Sequence, residues 1–349
     1  MGRLAIVWLL GAGIPGAVPN DAPSALFRYE RTEMAVPVKV VFYAPDANAA
    51  NGAAESVFQR FHQLNAILSD YDPESELRRL CDTAGEGKAV PVSDDLWRVL
   101  VAAIHMAERS EGAFDPTIGP LVRVWRLART FKRMPPPELL DQMRSLVGYR
   151  LVRLVPAQHA VELTKRGVRL DFGGIAKGYA VEAGLTVLRK RGITRAMIHA
   201  GGDIGLGDPP PDRPGWTVGI APREPNGPPS FYLSLSRTFV ASSGDMWQYV
   251  DLGGKRYSHI VDPKTGLGLT DRSSVTIIGP DGMTTDALSK VVSVLGPEKG
   301  LKIVEQTPGT AAYILRAPEG RVEVRQSSRW KDLPVVAPTH DSPGPPVAK

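Results

Sequence analysis

Asp171-Phe172-Gly173-Gly174-Ile175-Ala176-Lys177-Gly178-Tyr179-Ala180 is the stretch from which the rest of the chain is read. Val168 to Phe172 is apolar and reads as a strand, and Ile175 to about Arg191 has helical spacing, so the paired glycines form a strand-to-helix turn. The turn puts an acid at the strand end and Lys177 in the first helical turn. Glycines let a ligand approach the backbone, and the free N–H groups of a helix start favour phosphate. Strand–Gly–helix turns are also common as plain structure, so a structural turn and a phosphate site stand level on this stretch alone. The pattern is not GxGxxG, and Gly178 is not followed by the Lys-Ser/Thr pair of a P-loop.

The elements around the turn set the fold class. Upstream, Ala160 to Leu163 and Val168 to Phe172 flank Lys165-Arg166-Gly167, a hairpin signal. Downstream, strands are predicted at Ala196 to His199, Trp216 to Ile220, Phe231 to Leu235, Phe239 to Ser242, Ser274 to Ile278, Ala311 to Leu315 and Arg321 to Val324. Met34 to Ala44 reads as a further strand, with Val38, Val40 and Phe42 on one face. Ala49 to Leu68 has helical spacing, with Val57, Phe61, Leu64 and Leu68 on one side. Ser93 caps a helix to Ser110, and Pro135-Pro136-Pro137 opens another that Gly148 closes. Thr285 to Leu295 is a helix stopped by Gly296-Pro297, and the Pro-rich stretch from Pro209 to Pro229 reads most simply as a surface loop. Strands and helices mix without regular alternation, which predicts an α+β fold: one domain, over 34–334, of mixed sheets with flanking helices.

Composition and the chain ends narrow the class. A hydrophobic share of 43% in 349 residues supports a sizeable core. The net charge of +5 is spread rather than concentrated, which excludes the basic stripe of a nucleic-acid binder and suits a small anion. Arg3 followed by the broken apolar run Leu4 to Val18 and by Pro19-Asn20-Asp21-Ala22 predicts a secretory signal peptide over about 1–25 and an exported protein. It is short for a membrane span of about 20 residues. Cys81, the lone cysteine, excludes an intramolecular disulfide or a CxxC site and reads as a small buried side chain. From Val335 to Lys349 the chain is Pro-rich and polar, and a disordered tail is expected.

Further constellations carry chemistry-bearing residue types. Ala200-Gly201-Gly202-Asp203-Ile204-Gly205 follows a strand, and by itself a bulge or plain turn is the simpler reading. Ser242-Ser243-Gly244-Asp245 is joined by Tyr257-Ser258-His259-Ile260-Val261 and the tight turn Asp262-Pro263-Lys264-Thr265-Gly266. His259 ahead of that turn is either a hydrogen-bonded core residue or a titratable acid, base or donor. In Thr284-Thr285-Asp286-Ala287-Leu288-Ser289-Lys290, Asp286 falls in the first helical turn, and Lys290 lies four residues on. The bland reading is a surface pair worth about 0.3–0.5 kcal/mol; the sharper one makes Asp286 a carboxylate ligand for a hard cation such as Mg²⁺. Asp70-Tyr71-Asp72-Pro73-Glu74-Ser75-Glu76-Leu77 and Ala113-Phe114-Asp115-Pro116-Thr117-Ile118-Gly119-Pro120 both read as capped helix starts.

Taken together and in order, these pieces, beginning with Met34, resemble the FAD:protein FMN transferase (ApbE) family over about Met34 to Gly296. Each motif is of moderate specificity; their shared order is strong. The resemblance implies an ApbE-like flavin transferase domain that catalyses Mg²⁺-assisted attack on the FAD pyrophosphate. The acceptor it implies is a Thr or Ser hydroxyl of an exported or membrane-bound redox protein. FMN becomes phosphoester-linked and AMP leaves. By position Met34, Tyr71, Ala113, Phe114, Asp115, Asp171, Lys177 and Ile260 match FAD contacts. Gly174 matches a backbone carbonyl on the metal and Asp286 the metal carboxylate, while His259 matches the family's catalytically important histidine. Such a site is coherent, because a metal neutralises charge on the pyrophosphate while glycine N–H groups hold it.

The chain departs from the family's pattern at Lys290, which stands where a Thr hydroxyl usually helps to hold the metal. A protonated lysine has no acceptor. It either displaces the metal or supplies part of its charge. Two alternatives to the transferase follow: an FAD pyrophosphatase using water as acceptor, and a non-catalytic FAD-binding protein with a degenerate metal site. A dinucleotide-dependent oxidoreductase lacks its fingerprint.

Overall fold

The computed structural model describes residues 24–222, 228–244, 248–317 and 321–337. The first half contains β1 (Ala25–Glu33), β2 (Val36–Ala44), α1 (Ala47–Leu68), α2 (Glu76–Asp82), β3 (Val90–Pro91), α3 (Asp94–Arg109), α4 (Gly119–Phe131), α5 (Pro137–Arg144), β4 (Val152–Val155) and β5 (Ala160–Leu163). The strand-rich second half opens with α6 (Ala176–Lys190), β6 (Ala196–Ala200), β7 (Asp203–Leu206), β8 (Trp216–Pro222), β9 (Pro229–Leu235) and β10 (Thr238–Gly244). It continues through β11 (Tyr249–Leu252), β12 (Lys255–Ser258), β13 (Ser273–Gly279), α7 (Gly282–Glu305), β14 (Ala311–Arg316), β15 (Glu323–Gln326) and β16 (Val335–Val336).

The centre is an eight-stranded sheet in the order β1-β2-β6-β7-β10-β13-β14-β15, antiparallel throughout. Alternation along its strands sorts side chains to two faces. Val40, Ile198, Val275, Ile277 and Ile314 join α1, α6 and α7 in the main core. Their neighbours Met197, Ile278, Tyr313 and Leu315 pack on the opposite side against Val218, Ile220 and Leu233 of the small sheet β16-β9-β8. The faces expected of Val38, Val40 and Phe42, and of Val57, Phe61 and Leu64, are fully buried in one cluster. Each such side chain contributes roughly 1.5–3 kcal/mol. A third cluster seats Leu121, Trp125 and Leu140 of α4 and α5 against Val250, Leu252 and Val261, and the Trp125 indole N–H donates to the Gly266 carbonyl at 2.8 Å. This anchors the Asp262–Gly266 turn, and with it the segment bearing His259. No described helix is long and apolar enough to cross a membrane.

The α+β expectation holds, and several element expectations are corrected. The hairpin of Ala160 to Leu163 with Val168 to Phe172 does not form. Both edges of β5 are taken, by β4 and by β3, so the later segment has only a parallel bridge from Arg169 to Ile118. Periodicity missed β1: as the sheet's edge strand it only half-buries Phe27 and Tyr29 against the core and leaves a short apolar alternation, and the strand expected from Met34 begins at Val36 after a tight turn. The strand expected at Trp216 to Ile220 forms as β8 and occupies the middle of the stretch that reads as a loop from Pro209 to Pro229, so only the flanks of that stretch can be loop. The last helix starts at Gly282, capped by Asp281, whose carboxylate accepts from Thr284 N at 2.8 Å; Asp286 therefore lies in its second turn, beyond the best reach of the helix dipole. Gly296, at φ 74°, breaks α7 as expected, but helix resumes to Glu305. Val335 and Val336, expected at the head of a disordered tail, pair with Leu233 and Tyr232. Residues 1–23, Asp245 and residues 338–349 lie outside the described residues, so the signal reading, the end of the Ser-Ser-Gly-Asp motif and the remaining tail do too.

Candidate functional site

The start of α6, the β6–β7 turn and the second turn of α7 meet at one end of the large sheet. α6 and α7 cross there in backbone contact: a Cβ on Gly178 would lie 2.1 Å from the Gly282 carbonyl oxygen. That approach lets Gly178 N–H donate to Asp286 Oδ2 at 3.2 Å. At the β6–β7 turn, a Cβ on Gly202 would stand 2.4 Å from the Ser242 carbonyl, so the Gly-Gly pair permits close strand packing. Asp203 leaves the turn toward Lys177.

The result is a buried ring of charge. Lys177 Nζ stands 3.2 Å from Asp203 Oδ2 and 3.8 Å from Asp286 Oδ2. Lys290 Nζ bonds Asp286 Oδ1 and donates to Ser289 Oγ at 3.1 Å, and Ser289 is in turn 2.6 Å from Ser243 Oγ. Asp286 is wholly buried, yet its carboxyl is held below the usual range: burial raises it, and Lys177 and Lys290 outweigh burial. Burial and the Asp286 charge push Asp203 up. Burial favours neutral Lys177, but Asp203 and Asp286 more than reverse this, raising its pKa.

Beside the ring lies a second network. Asp171 Oδ1 accepts from Gly173 N at 2.8 Å, and Oδ2 accepts from Arg126 at 3.1 Å. Arg126 also bonds Asp70 and stacks 3.9 Å over the ring of Tyr71, which is 69% exposed and so presents its other face to solvent. Burial, with Asp70 nearby, pushes Asp171 up to about 6 against the pull of Arg126. Arg129, one turn on, is half-buried; burial lowers its pKa, and the nearby Tyr71 hydroxyl only partly offsets this.

His259 closes the site. Its Nδ1 is 3.1 Å from the Gln248 carbonyl, the geometry of a donated N–H, which leaves Nε2 with its lone pair free. Burial drives the imidazole down to about 4, helped by Lys290, Arg129 and Lys177, so it is neutral at neutral pH.

Of the residues singled out in the sequence, Asp171, Gly174, Lys177, His259, Asp286 and Lys290 come together, with Phe114 against Gly174. Tyr71 joins through Arg126. Met34 sits in the β1–β2 turn at φ 49°, two residues before Val36, which flanks Gly201. Ala113 is buried and borders a cavity of about 600 Å³ beside the break in α7, shared with Asp262 and Lys264. Ile260 has a buried side chain, and its carbonyl accepts from Leu269 N at 2.9 Å. Both oxygens of Asp115 are used within the protein: Oδ1 accepts from Thr117 N and Oγ1 at 2.8 and 2.6 Å, and Oδ2 from Tyr149 N at 2.8 Å. Sequence reasoning missed Arg126, Arg129 and the pairing role of Asp203. The arginines look like any exposed cation of an amphipathic helix, whereas Asp203 was visible as the acid after a Gly-Gly pair. Cys81 is buried as expected: its Sγ accepts from Leu170 N at 3.2 Å, and burial pushes the thiol up to about 11.

The metal implied by the resemblance does not fit these residues. Asp286 already faces an ammonium on each oxygen, and Lys290 offers a cation where a ligand oxygen would be needed. Among the described residues no three His, Cys, Asp or Glu side chains group as a metal site.

Fold and site together define an α+β protein in which glycine turns and two lysines held by buried carboxylates meet at one end of the large sheet, a setting suited to a phosphate-bearing ligand. The ApbE family model matches residues 34–314, and the chain belongs to that family. It is 33% identical over 315 residues to the FAD:protein FMN transferase of Treponema pallidum, spanning 84% of this chain and 86% of that one. The Haemophilus influenzae protein of the same name is 31% identical, spanning 77% and 80%. The solved ApbE protein of Thermotoga maritima superposes with a TM-score of 0.79 at 29% identity, covering 89% of this chain and 99% of that one.

Proposed function

We propose that this chain transfers FMN from FAD to a Ser or Thr hydroxyl of a protein acceptor, releasing AMP. Its relatives are named FAD:protein FMN transferases, which supports the transfer of FMN from FAD to a protein. The observation that carries the reading is a neutral His259, with Nε2 free, beside the Lys177–Lys290 pair. The acceptor oxygen attacks the flavin-side phosphorus, and the bridging P–O bond breaks with its electron pair leaving on AMP. The hydroxyl proton passes to His259 Nε2. Lys177, Lys290 and Arg129 face the pyrophosphate charge, and Tyr71 offers a flat face to a ring of the dinucleotide. Asp286 holds both ammonium groups in place. The apolar run Leu4 to Val18 supports an acceptor outside the cytoplasmic membrane, an exported or membrane-bound redox protein.

The test is co-production with candidate exported redox proteins, followed by mass spectrometry for an FMN phosphoester on Ser or Thr, alongside AMP release from FAD by the purified chain. An FMN adduct with equimolar AMP supports transfer. AMP and free FMN without an adduct assign a pyrophosphatase, and bound FAD with neither product assigns a binding protein.

A further inference from the structure

We propose that Lys290 is the resident cation of this site, so that FAD binding and transfer require no divalent metal. This rests on the reading that the site takes FAD. Lys290 reaches its place from within α7, four residues after Asp286 on the same face, and its Nζ bonds Asp286 Oδ1. The stem is held as well as the tip: its Cγ and Cδ lie 3.2 and 3.6 Å from where a Cβ on Gly174 would be, and the ammonium also bonds Ser289 Oγ at 3.1 Å. Only 17% of the side chain is exposed. This is a packed, hydrogen-bonded ammonium rather than a loose surface lysine.

Charge balance points the same way. Asp203 and Asp286 are matched by Lys177 and Lys290. A divalent ion added to that set would have only the ligand's own phosphates to neutralise it, and would sit against two ammonium groups. The other oxygen of Asp286 is met by Gly178 N–H at 3.2 Å and faces Lys177 Nζ at 3.8 Å, so a metal approaching either carboxylate oxygen would have to lie beside an ammonium group. With a neutral hydroxyl residue at 290 the ring would carry one uncompensated negative charge and the space vacated by the lysine stem, which is what a hard cation selects. The ammonium donates up to three hydrogen bonds and can turn one toward a phosphate oxygen without leaving Asp286. Its reach is limited to a single charge, so FAD affinity comes from the set of Lys177, Lys290 and Arg129 rather than from one strong centre.

The test uses the purified full-length protein and two readouts. Mn²⁺ is titrated in without flavin and followed by the EPR amplitude of the free ion; FAD affinity is measured by flavin fluorescence in EDTA and in Mg²⁺. The wild type is expected to leave the free Mn²⁺ signal unchanged at submillimolar protein, and to bind FAD equally well in both buffers. Lys290→Thr is expected to weaken FAD binding in EDTA by about tenfold, and to gain a Mn²⁺ site whose occupation by Mn²⁺ or Mg²⁺ restores the affinity. Lys290→Met, which supplies neither charge nor ligand, is expected to weaken binding with no rescue by metal. Wild-type protein that binds Mn²⁺ stoichiometrically, or loses FAD on adding EDTA, overturns the proposal. The wild-type titrations decide this even if both variants misfold. Failure to bind FAD in either buffer sinks the flavin reading instead, while the Mn²⁺ titration still reports on the metal.

Discussion

Replacing Gly178 with alanine tests whether the crossing of α6 and α7 positions the charged ring. A Cβ there would fall 2.1 Å from the Gly282 carbonyl oxygen and 2.8 Å from the Asp286 Cβ. An unstrained contact needs about 3.5 Å, so the helices must separate by roughly 1.4 Å at this contact. The obstacle is backbone, which cannot swing aside as a side-chain tip can. Overpacking costs about 1–3 kcal/mol, and rigid backbone on both sides puts this site at the upper end. Against it, alanine gains up to about 1 kcal/mol of helix propensity over glycine. The packing loss wins, leaving a deficit of about 2 kcal/mol, or a fall of about 4–8 °C in melting temperature if the response matches that of somewhat smaller domains. Separation also breaks the Gly178 N–H bond to Asp286, so FAD affinity is expected to fall with stability. Gly52→Ala in α1 is the control: its Cβ would meet only the tip of Arg191 at 3.8 Å, so the propensity gain should appear alone as a slightly higher melting temperature. Differential scanning fluorimetry and flavin fluorescence read both variants. If Gly178→Ala behaves like Gly52→Ala, melting higher with FAD affinity intact, the claim that this contact sets the site is refuted.

Two further outcomes are expected. His259→Asn should retain FAD and lose transfer by about 10²–10⁴-fold; because the imidazole is pushed down to about 4, its contribution to wild-type kcat/KM should be lost only as pH drops through about 4, below the Asp171 carboxyl at about 6, so an imidazole whose NMR titration is centred near 6.5 would contradict the neutral-base assignment. Arg129→Ala should weaken FAD binding by about 10–100-fold, the worth of roughly 1.5–3 kcal/mol for a hydrogen bond to a charged group, with little change in melting temperature, whereas Arg126→Ala should also lower that temperature because it strips the buried Asp171 of its cation; equal melting temperatures for the two variants would undo the distinction.

What was legible in the sequence follows from where each signal is stored. Val38, Val40 and Phe42, or Ser93 before Asp94, carry their structural meaning within a few residues, so the corresponding strand and helix were found. The partner of a strand is not local information. Ala160 to Leu163 and Val168 to Phe172 look like a hairpin to any local rule, and only the competing claims of β3 and β4 on β5 reveal otherwise. β1 was invisible for the complementary reason: only Phe27 and Tyr29 lean on the main core, half-buried, and the rest of the strand is placed by its pairing with β2. The site divides in the same way. The glycine turns and His259 stand out because their residue types are unusual for their setting, whereas Arg126 and Arg129 gain their meaning only when α4 is laid beside Asp70, Asp171 and Tyr71.

Asp286 and Lys290 show how far spacing alone can mislead about magnitude. At i and i+4 they are neighbours in any helix, and on a solvated face the pair would be worth about 0.3–0.5 kcal/mol. Spacing is silent on what surrounds the pair. Here Asp286 has no exposed surface and Lys290 little, so the charges interact through a medium of lower dielectric, where two unit charges 4 Å apart attract by about 4 kcal/mol before desolvation is counted. Desolvation of two ions cancels much of that gain, so the pair is a poor stabiliser. Breaking it is a different matter, because either partner left alone is a buried, uncompensated charge. The pair therefore acts less as glue than as a lock on charge placement: Asp286 stays ionised because Lys290 and Lys177 are present, and both ammonium groups stay beside it because it is ionised. A site whose positive charge is fixed in this way needs nothing from solution to assemble it before FAD arrives.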